Sequence, residues 1–379
     1  MRNPEIILNT LCSHSSDADY KYERLYRLFF NEELFMVAYE RIKSKPGNMT
    51  PGSDGKTIDG MSLERINALI SSLKDESYIP NPAKRVYIPK KNGKLRPLGI
   101  PTIEDKLVQE VARMILEAIY EGYFEDTSHG FRPSRSCHTA LNSLQKRFTG
   151  SRWFIEGDIK GFFDNIDHSV LVDILRKRIA DERFIRLIWK FLRAGYLEIW
   201  HYHNTYSGAP QGGIVSPILA NIYLDQFDKY MAEYAENFKK GNKRKVNPEY
   251  DSLNKKLAKV RKKWKSETDE TVKACLFERI KELQAKCLSV PAGLQMDANY
   301  RRLQYVRYAD DFLIGVIGSK ADSESIKADI TQYMSEKLLL ELSAEKTLIT
   351  HASENAKFLG FDITVQTLDD TKRNKRGVI

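Results

Sequence analysis

The 379-residue chain is long enough for more than one structural unit, and its hydrophobic fraction of 42% is that of an ordinary globular protein. No run approaches the ~18 consecutive apolar residues of a membrane span, the start turns polar straight after Ile6-Ile7-Leu8, and the four scattered cysteines form no CxxC pair. These features argue against a membrane partner, a secretory leader, a zinc knuckle or a disulfide framework and for a cytoplasmic setting, while a net charge of +9 points to an anionic partner.

Residues 20–45 are aromatic-rich, helical in spacing, and end in the Pro46-Gly47 break. The turn-rich TPGSDGKTIDGMS (50–62) does not carry its glycines at P-loop spacing and reads as a connector. A helix from about Leu63 to Asp75 is expected next. RVYIPKKNGKLRPLGIP (85–101) reads as two short strands joined at Asn92-Gly93, a strong hairpin signal. Residues 103–120 have the spacing of an amphipathic helix, and 129–148 of a turn followed by another. RWFIEGD predicts a strand that buries Trp153, Phe154 and Ile155, breaks at Gly157 and ends near Asp158; Asp167 is placed to cap a helix from about Ser169. A mostly helical stretch to Ala194 follows, then a hairpin around LEIWHYHNTYSGAP and a Gly turn running into the apolar helix of GGIVSPILANIYL. The excess charge comes next. Between Lys239 and Lys265 twelve Lys or Arg stand against Glu249 and Asp251, a local net of +10 that leaves −1 for the rest of the chain. Such a block suits a polyanion, because each neutralised phosphate releases counterions; a solvated helical hairpin without a partner is the other reading.

YVRYADDFLIG (305–315) then reads as a hairpin with two adjacent carboxylates, Asp310 and Asp311, beside apolar strands. A polar turn would explain them. So would a metal site, because charge near a core is costly unless paired or coordinated. Asp158 supplies a third carboxylate at a strand end, and hard oxygen ligands of this kind suit Mg²⁺. His129, His138, His168, His201 and His203 fall into no ligating spacing, Asp164 and Asp167 read as turn and capping groups, and Cys137 as a small buried side chain.

Seven blocks in order, IPKKNGKLRPLGIPTIEDK, HGFRPSRSCHTAL, FIEGDIKGFFDNIDH, APQGGIVSPILANIYL, YVRYADDFLIG, LSAEKT and KFLGFDI, resemble those of group II intron-encoded reverse transcriptases, or maturases, from about residue 20 to 362. The resemblance implies an α+β right-hand polymerase, with fingers and palm around an antiparallel palm sheet flanked by helices. Its divisions would be 1–80, N-terminal extension and start of the fingers; 81–150, fingers; 151–235, palm with a returning fingers segment; 236–300, the basic helical insertion; and 301–379, palm ending near the primer grip. With 19 residues after Gly360, a thumb is expected to be absent. Asp158, Asp310 and Asp311 would be the catalytic carboxylates and, with the backbone carbonyl of Ile159, would hold two Mg²⁺ ions, for which Mn²⁺ could substitute. Lys90 and Arg96 match the pair that grips a triphosphate; Phe163 the aromatic that closes the space beside the sugar C2′, a role Phe162 could exchange with it; Gln211 the nucleotide pocket; Lys346 a position near the metals; and Gly360 the primer grip. Partners implied are dNTPs, an RNA template with a DNA primer, and group II intron RNA, for which Lys239, Lys240, Lys243, Arg244, Lys245, Arg261, Lys262 and Lys263 are the candidate contacts; self-association is compatible with all of this. Two alternatives are an intron RNA-binding splicing cofactor without chemistry of its own and a polymerase of another reverse transcriptase branch.

Overall fold

The computed structural model describes residues 3–89, 93, 95–198, 201–203, 205, 208, 212–294 and 297–366. Helix α1 (Pro4–Cys12) starts at Asn3, whose side chain accepts from the Glu5 amide. The helix expected over 20–45 is split into a 3₁₀ turn (Leu25–Phe30) and α2 (Glu32–Lys43), because Asn31 takes an extended conformation and turns its side chain onto the Glu33 amide. Helix α3 (Leu63–Lys74) lies where its spacing predicts. Strands β1 (Ala83–Pro89) and β2 (Leu95–Ile100) form the expected antiparallel hairpin. Helix α4 (Ile103–Tyr120) departs from expectation: it is buried on nearly every side, polar residues included. Asp105 and Lys106 are satisfied internally, Asp105 by Tyr78 and Thr102 at 2.5 and 2.6 Å, and Lys106 by the Thr50 carbonyl at 3.0 Å.

After α5 (Cys137–Arg147), β3 (Trp153–Asp158) leads through the short α6 (Phe162–Asn165) into α7 (His168–Arg176), where Asp167 caps Val170. Helix α8 (Glu182–Arg193) is followed by β4 (Tyr196–Glu198) and β5 (His201–His203), which add to the first hairpin in the order β2-β1-β4-β5, with β4 parallel to β1. Helix α9 (Ser216–Phe238) runs through the core. The basic segment forms α10 (Pro248–Ser266) and α11 (Glu270–Ser289), paired over a small core of their own built on Leu257, Ile280, Leu283 and Cys287.

Strands β6 (Arg302–Tyr308) and β7 (Asp311–Ile317), helix α12 (Lys320–Lys337), and strands β8 (Ile349–His351), β9 (Ala356–Phe358) and β10 (Phe361–Ile363) complete the chain. The second sheet, β6-β7-β3-β8, is antiparallel throughout. Its strand alternation sends Ile155, Phe312, Ile314 and Val316 into the main core and Phe154, Val306 and Leu313 into a second one under α5 and β9. Three local expectations are corrected here. Gly157 does not break β3: it stays paired with Phe312, whose ring fills the place a Cβ would take, 2.0 Å away. Trp153 is half-buried, and so is Cys137, which bonds with the Tyr308 hydroxyl. Among the described residues no helix is long and apolar enough to cross a membrane.

Candidate active site

Asp158 ends β3 directly opposite Asp311, which opens β7, so the sheet register alone brings two carboxylates together. Asp310 stands in the turn before them, following Ala309, whose φ of 55° is left-handed. Burial raises the Asp310 carboxyl, with Asp158 adding to the effect. Burial also pushes Asp311 up to about 7, helped by the charges of Asp310 and Asp158 and by a hydrogen bond with Asp158. Lys346 is the partial countercharge: its Nζ lies 2.9 Å from Asp158 Oδ2, and that bond holds its own ammonium above its ordinary value. Among the described residues no three His, Cys, Asp or Glu side chains are drawn to metal-ligand distance. The donor chemistry nonetheless fits a hard divalent cation, for crowded carboxylates with raised affinity for protons bind a metal in their place.

The three carboxylates share a cleft of about 660 Å³ with Arg96, Ile159, Phe163, Gly212, Gly213 and Lys346. Arg96 comes from β2, and its charge favours ionised Asp310. The Ile159 side chain is buried and its backbone bridges to Leu342. Phe162 and Phe163 both border the cleft; Phe162 is buried in the core at 2% exposure, and half-buried Phe163 stands edge-on to Phe131 at 6.5 Å. Gly212, at φ +107°, passes so close to β2 that a Cβ would lie 2.4 Å from the Gly99 carbonyl. Lys90 and Gln211 lie outside the described residues. Gly360 forms the β9–β10 turn at φ +81° and lines an adjoining cleft of about 400 Å³ that shares Asp158, Asp311 and Lys346 with the first.

The basic residues lie elsewhere. Lys239 pairs with Glu236, the Lys240 backbone bridges to Arg301, and Arg244 reaches the Gly150 carbonyl at 3.3 Å while covering the Tyr300 ring. Arg261, Lys262 and Lys263 are exposed on α10. Arg244 also lines a pocket with Ile317, the far end of β7 from Asp311, about 20 Å along the strand. Phe131 was not singled out from sequence, although the Gly130-Phe131 step of HGFRPSRS carried the signal of a constrained turn.

The reverse transcriptase (RNA-dependent DNA polymerase) family matches residues 88–246, a stretch that holds Arg96, Asp158 and Phe163 and ends ahead of α10. Within that class, the chain belongs to the group II intron-encoded reverse transcriptases. It is 47% identical over 377 residues to the group II intron-encoded protein LtrA of Lactococcus lactis subsp. cremoris, covering 99% of this chain and 62% of that protein. It is 35% identical over 355 residues to protein YkfC of Escherichia coli, covering 91% and 84%, and 25% identical over 385 residues to nuclear intron maturase 2, mitochondrial, of Arabidopsis thaliana, covering 86% and 48%. Divalent-metal dependence is general to the reverse transcriptase family.

Proposed function

We propose that this chain is an RNA-directed DNA polymerase of a group II intron, adding dNTPs to the 3′ hydroxyl of a DNA primer on an RNA template. The observation that carries the reading is the convergence of Asp158, Asp310 and Asp311 in one cleft with Arg96 and Phe163. In this reading β3 and β6–β8 are the palm of a right hand, and the β1–β2 hairpin with α4 belongs to its fingers. Asp158, Asp310, Asp311 and the Ile159 carbonyl would hold two Mg²⁺ ions, or Mn²⁺ in their place, whose chemistry is to activate the hydroxyl and offset charge on the leaving pyrophosphate. Arg96, with Lys90, grips the triphosphate and Arg96 can fork onto its oxygens. Phe163 closes the space beside the sugar, Gln211 and the Gly212-Gly213 backbone bound the nucleotide pocket, and Lys346 keeps Asp158 oriented. The turn at Gly360 lines the side of the site where a primer end would lie.

A second role, binding intron RNA for splicing, is favoured by one observation: the densest positive charge sits on α10 and its stem, remote from the carboxylates. One experiment separates the readings. Purified chain is given a primed RNA template with Mg²⁺ and either dNTPs or NTPs, beside an Asp310→Asn, Asp311→Asn variant. The expected result is dNTP incorporation by the wild type and none by the variant, with RNA binding unchanged between them. A variant that still extends primers overturns the catalytic assignment; a wild type that binds intron RNA and never extends leaves the splicing-cofactor reading.

A further inference from the structure

The side chain at position 307, two residues before the turn that carries Asp310, is an arginine on a strand of the main sheet, and it is wholly buried. All five of its N–H groups are used. Nε donates to Asp228 Oδ1 at 2.7 Å and Nη2 to Asp228 Oδ2 at 2.5 Å; Nη2 also donates to Ser128 Oγ at 2.7 Å, and Nη1 to the Ala309 carbonyl at 2.8 Å and Asn221 Oδ1 at 3.3 Å. Asp228 is also fully buried and accepts a third bond from the Tyr305 hydroxyl at 2.7 Å. Asn221 and Asp228 lie two turns apart on α9, on one face of the helix.

Three features tie this network to the turn and not to stability alone. The guanidinium grips the carbonyl of Ala309, the residue held at φ 55°, a left-handed conformation that an L side chain with a Cβ disfavours. Asn221 Nδ2 donates to the Gly130 carbonyl at 2.7 Å, and Gly130 lies so close to the turn that a Cβ there would meet the Ala309 nitrogen at 2.3 Å. The Arg307 backbone is bonded to the same segment on both sides, to Thr127 and from His129. A buried ion pair is seldom the most stable filling for a core, since well-packed apolar residues of similar volume do as well or better. Only the planar fork of arginine reaches both carboxylate oxygens and a carbonyl two residues ahead.

We propose that the buried Arg307–Asp228 pair, braced by Asn221 and Gly130, is the positioning element of the catalytic turn: it fixes Ala309 left-handed and so sets where Asp310 and Asp311 project. This rests on the polymerase reading for its activity readout, and on geometry alone for its structural one.

The test compares the wild type with Arg307→Met, Asp228→Leu, which fills the same volume without charge, and with Arg307→Lys, which keeps charge and loses the fork. Thermal unfolding, amide hydrogen exchange at 309–311, Mn²⁺ binding by electron paramagnetic resonance, and kcat and KM for primer extension are measured. The proposal expects a folded double variant with faster exchange at 309–311, weaker Mn²⁺ binding, and kcat lower by about 10²-fold at similar KM; Arg307→Lys should share the kcat loss. If the double variant does not fold, Arg307→Lys decides by the same readouts. Wild-type exchange, Mn²⁺ binding and kcat in a folded variant overturn the proposal. A wild type that extends no primer overturns the polymerase reading instead, and exchange with Mn²⁺ binding still decides the role of the pair.

Discussion

Between about pH 4 and pH 7 the Asp311 carboxyl is protonated in the folded chain and ionised in the unfolded one, because burial and the charges of Asp310 and Asp158 raise it from 3.8 to about 7. The unfolded state then binds fewer protons, so stability without divalent metal falls as pH rises through that window and levels off above it. Asp311→Asn removes the penalty. Its Tm should exceed that of the wild type by a few degrees at pH 8 and match it near pH 4 in chelator, while primer extension is lost; a lower Tm at pH 8 would contradict the crowding of the carboxylates. Under the proposed function Phe163 bears on choice of sugar. Both phenylalanines border the cleft, but Phe162 is buried at 2% exposure and Phe163 is the less buried of the two, which favours Phe163 for the role the sequence left open between them. Phe163→Val should raise NTP use relative to dNTP by roughly tenfold or more in single-nucleotide addition. No gain would pass the role to Phe131, which stands edge-on to it. Gly157 shows where residue-level reading fails: glycine in a strand pattern signals either a break or a close approach, and only the partner strand's Phe312 reveals which.

At the scale of elements, hairpins and capped helices were legible because their signals are local. Asn92-Gly93 between β1 and β2, Asp167 before α7, and the short apolar runs of β6 and β7 each act within a few residues. Helix α4 was not, since its polar residues Asp105, Lys106 and Glu110 read as a wet face until Tyr78, Thr50 and Arg113 supply their partners from elsewhere or from the next turn. The α10–α11 arm was legible as basic and helical, and the structure adds that it has its own core. Replacing Lys239, Lys240, Lys243, Arg244 and Lys245 with Gln should weaken intron RNA binding and make the slope of log affinity against log salt shallower by up to roughly 4. Extension of a short primed template should change little, because this stem lies about 20 Å along β7 from Asp311. An unchanged salt slope would return the segment to a solvated hairpin with no partner.

At the scale of the whole molecule, the cleft gathers Arg96, Phe131, Asp158, Gly212, Asp310 and Lys346 from separated elements. The motif blocks found most of these one at a time; Phe131 and the Arg307–Asp228 pair were missed because their significance exists only in contacts across the fold. The same long-range construction divides the chain energetically. One continuous core joins the N-terminal helices, α4, α9 and the main sheet, while the small core under α10 and α11 is separate from it. Local opening of the arm therefore exposes few apolar groups and should cost less than global unfolding. A ligand that binds only the native carboxylates stabilises by about 2.7 kcal/mol at a hundredfold excess over its Kd, and that gain reaches only amides whose exchange requires the site to come apart. Adding Mg²⁺ in native-state hydrogen exchange should accordingly slow β3, β7 and α4 and leave α10 and α11 at their metal-free rates, and Asp310→Asn, Asp311→Asn should abolish the difference. Equal protection of the arm would mean that it unfolds only with the rest of the molecule; no protection of β3 and β7 would remove the metal from the site.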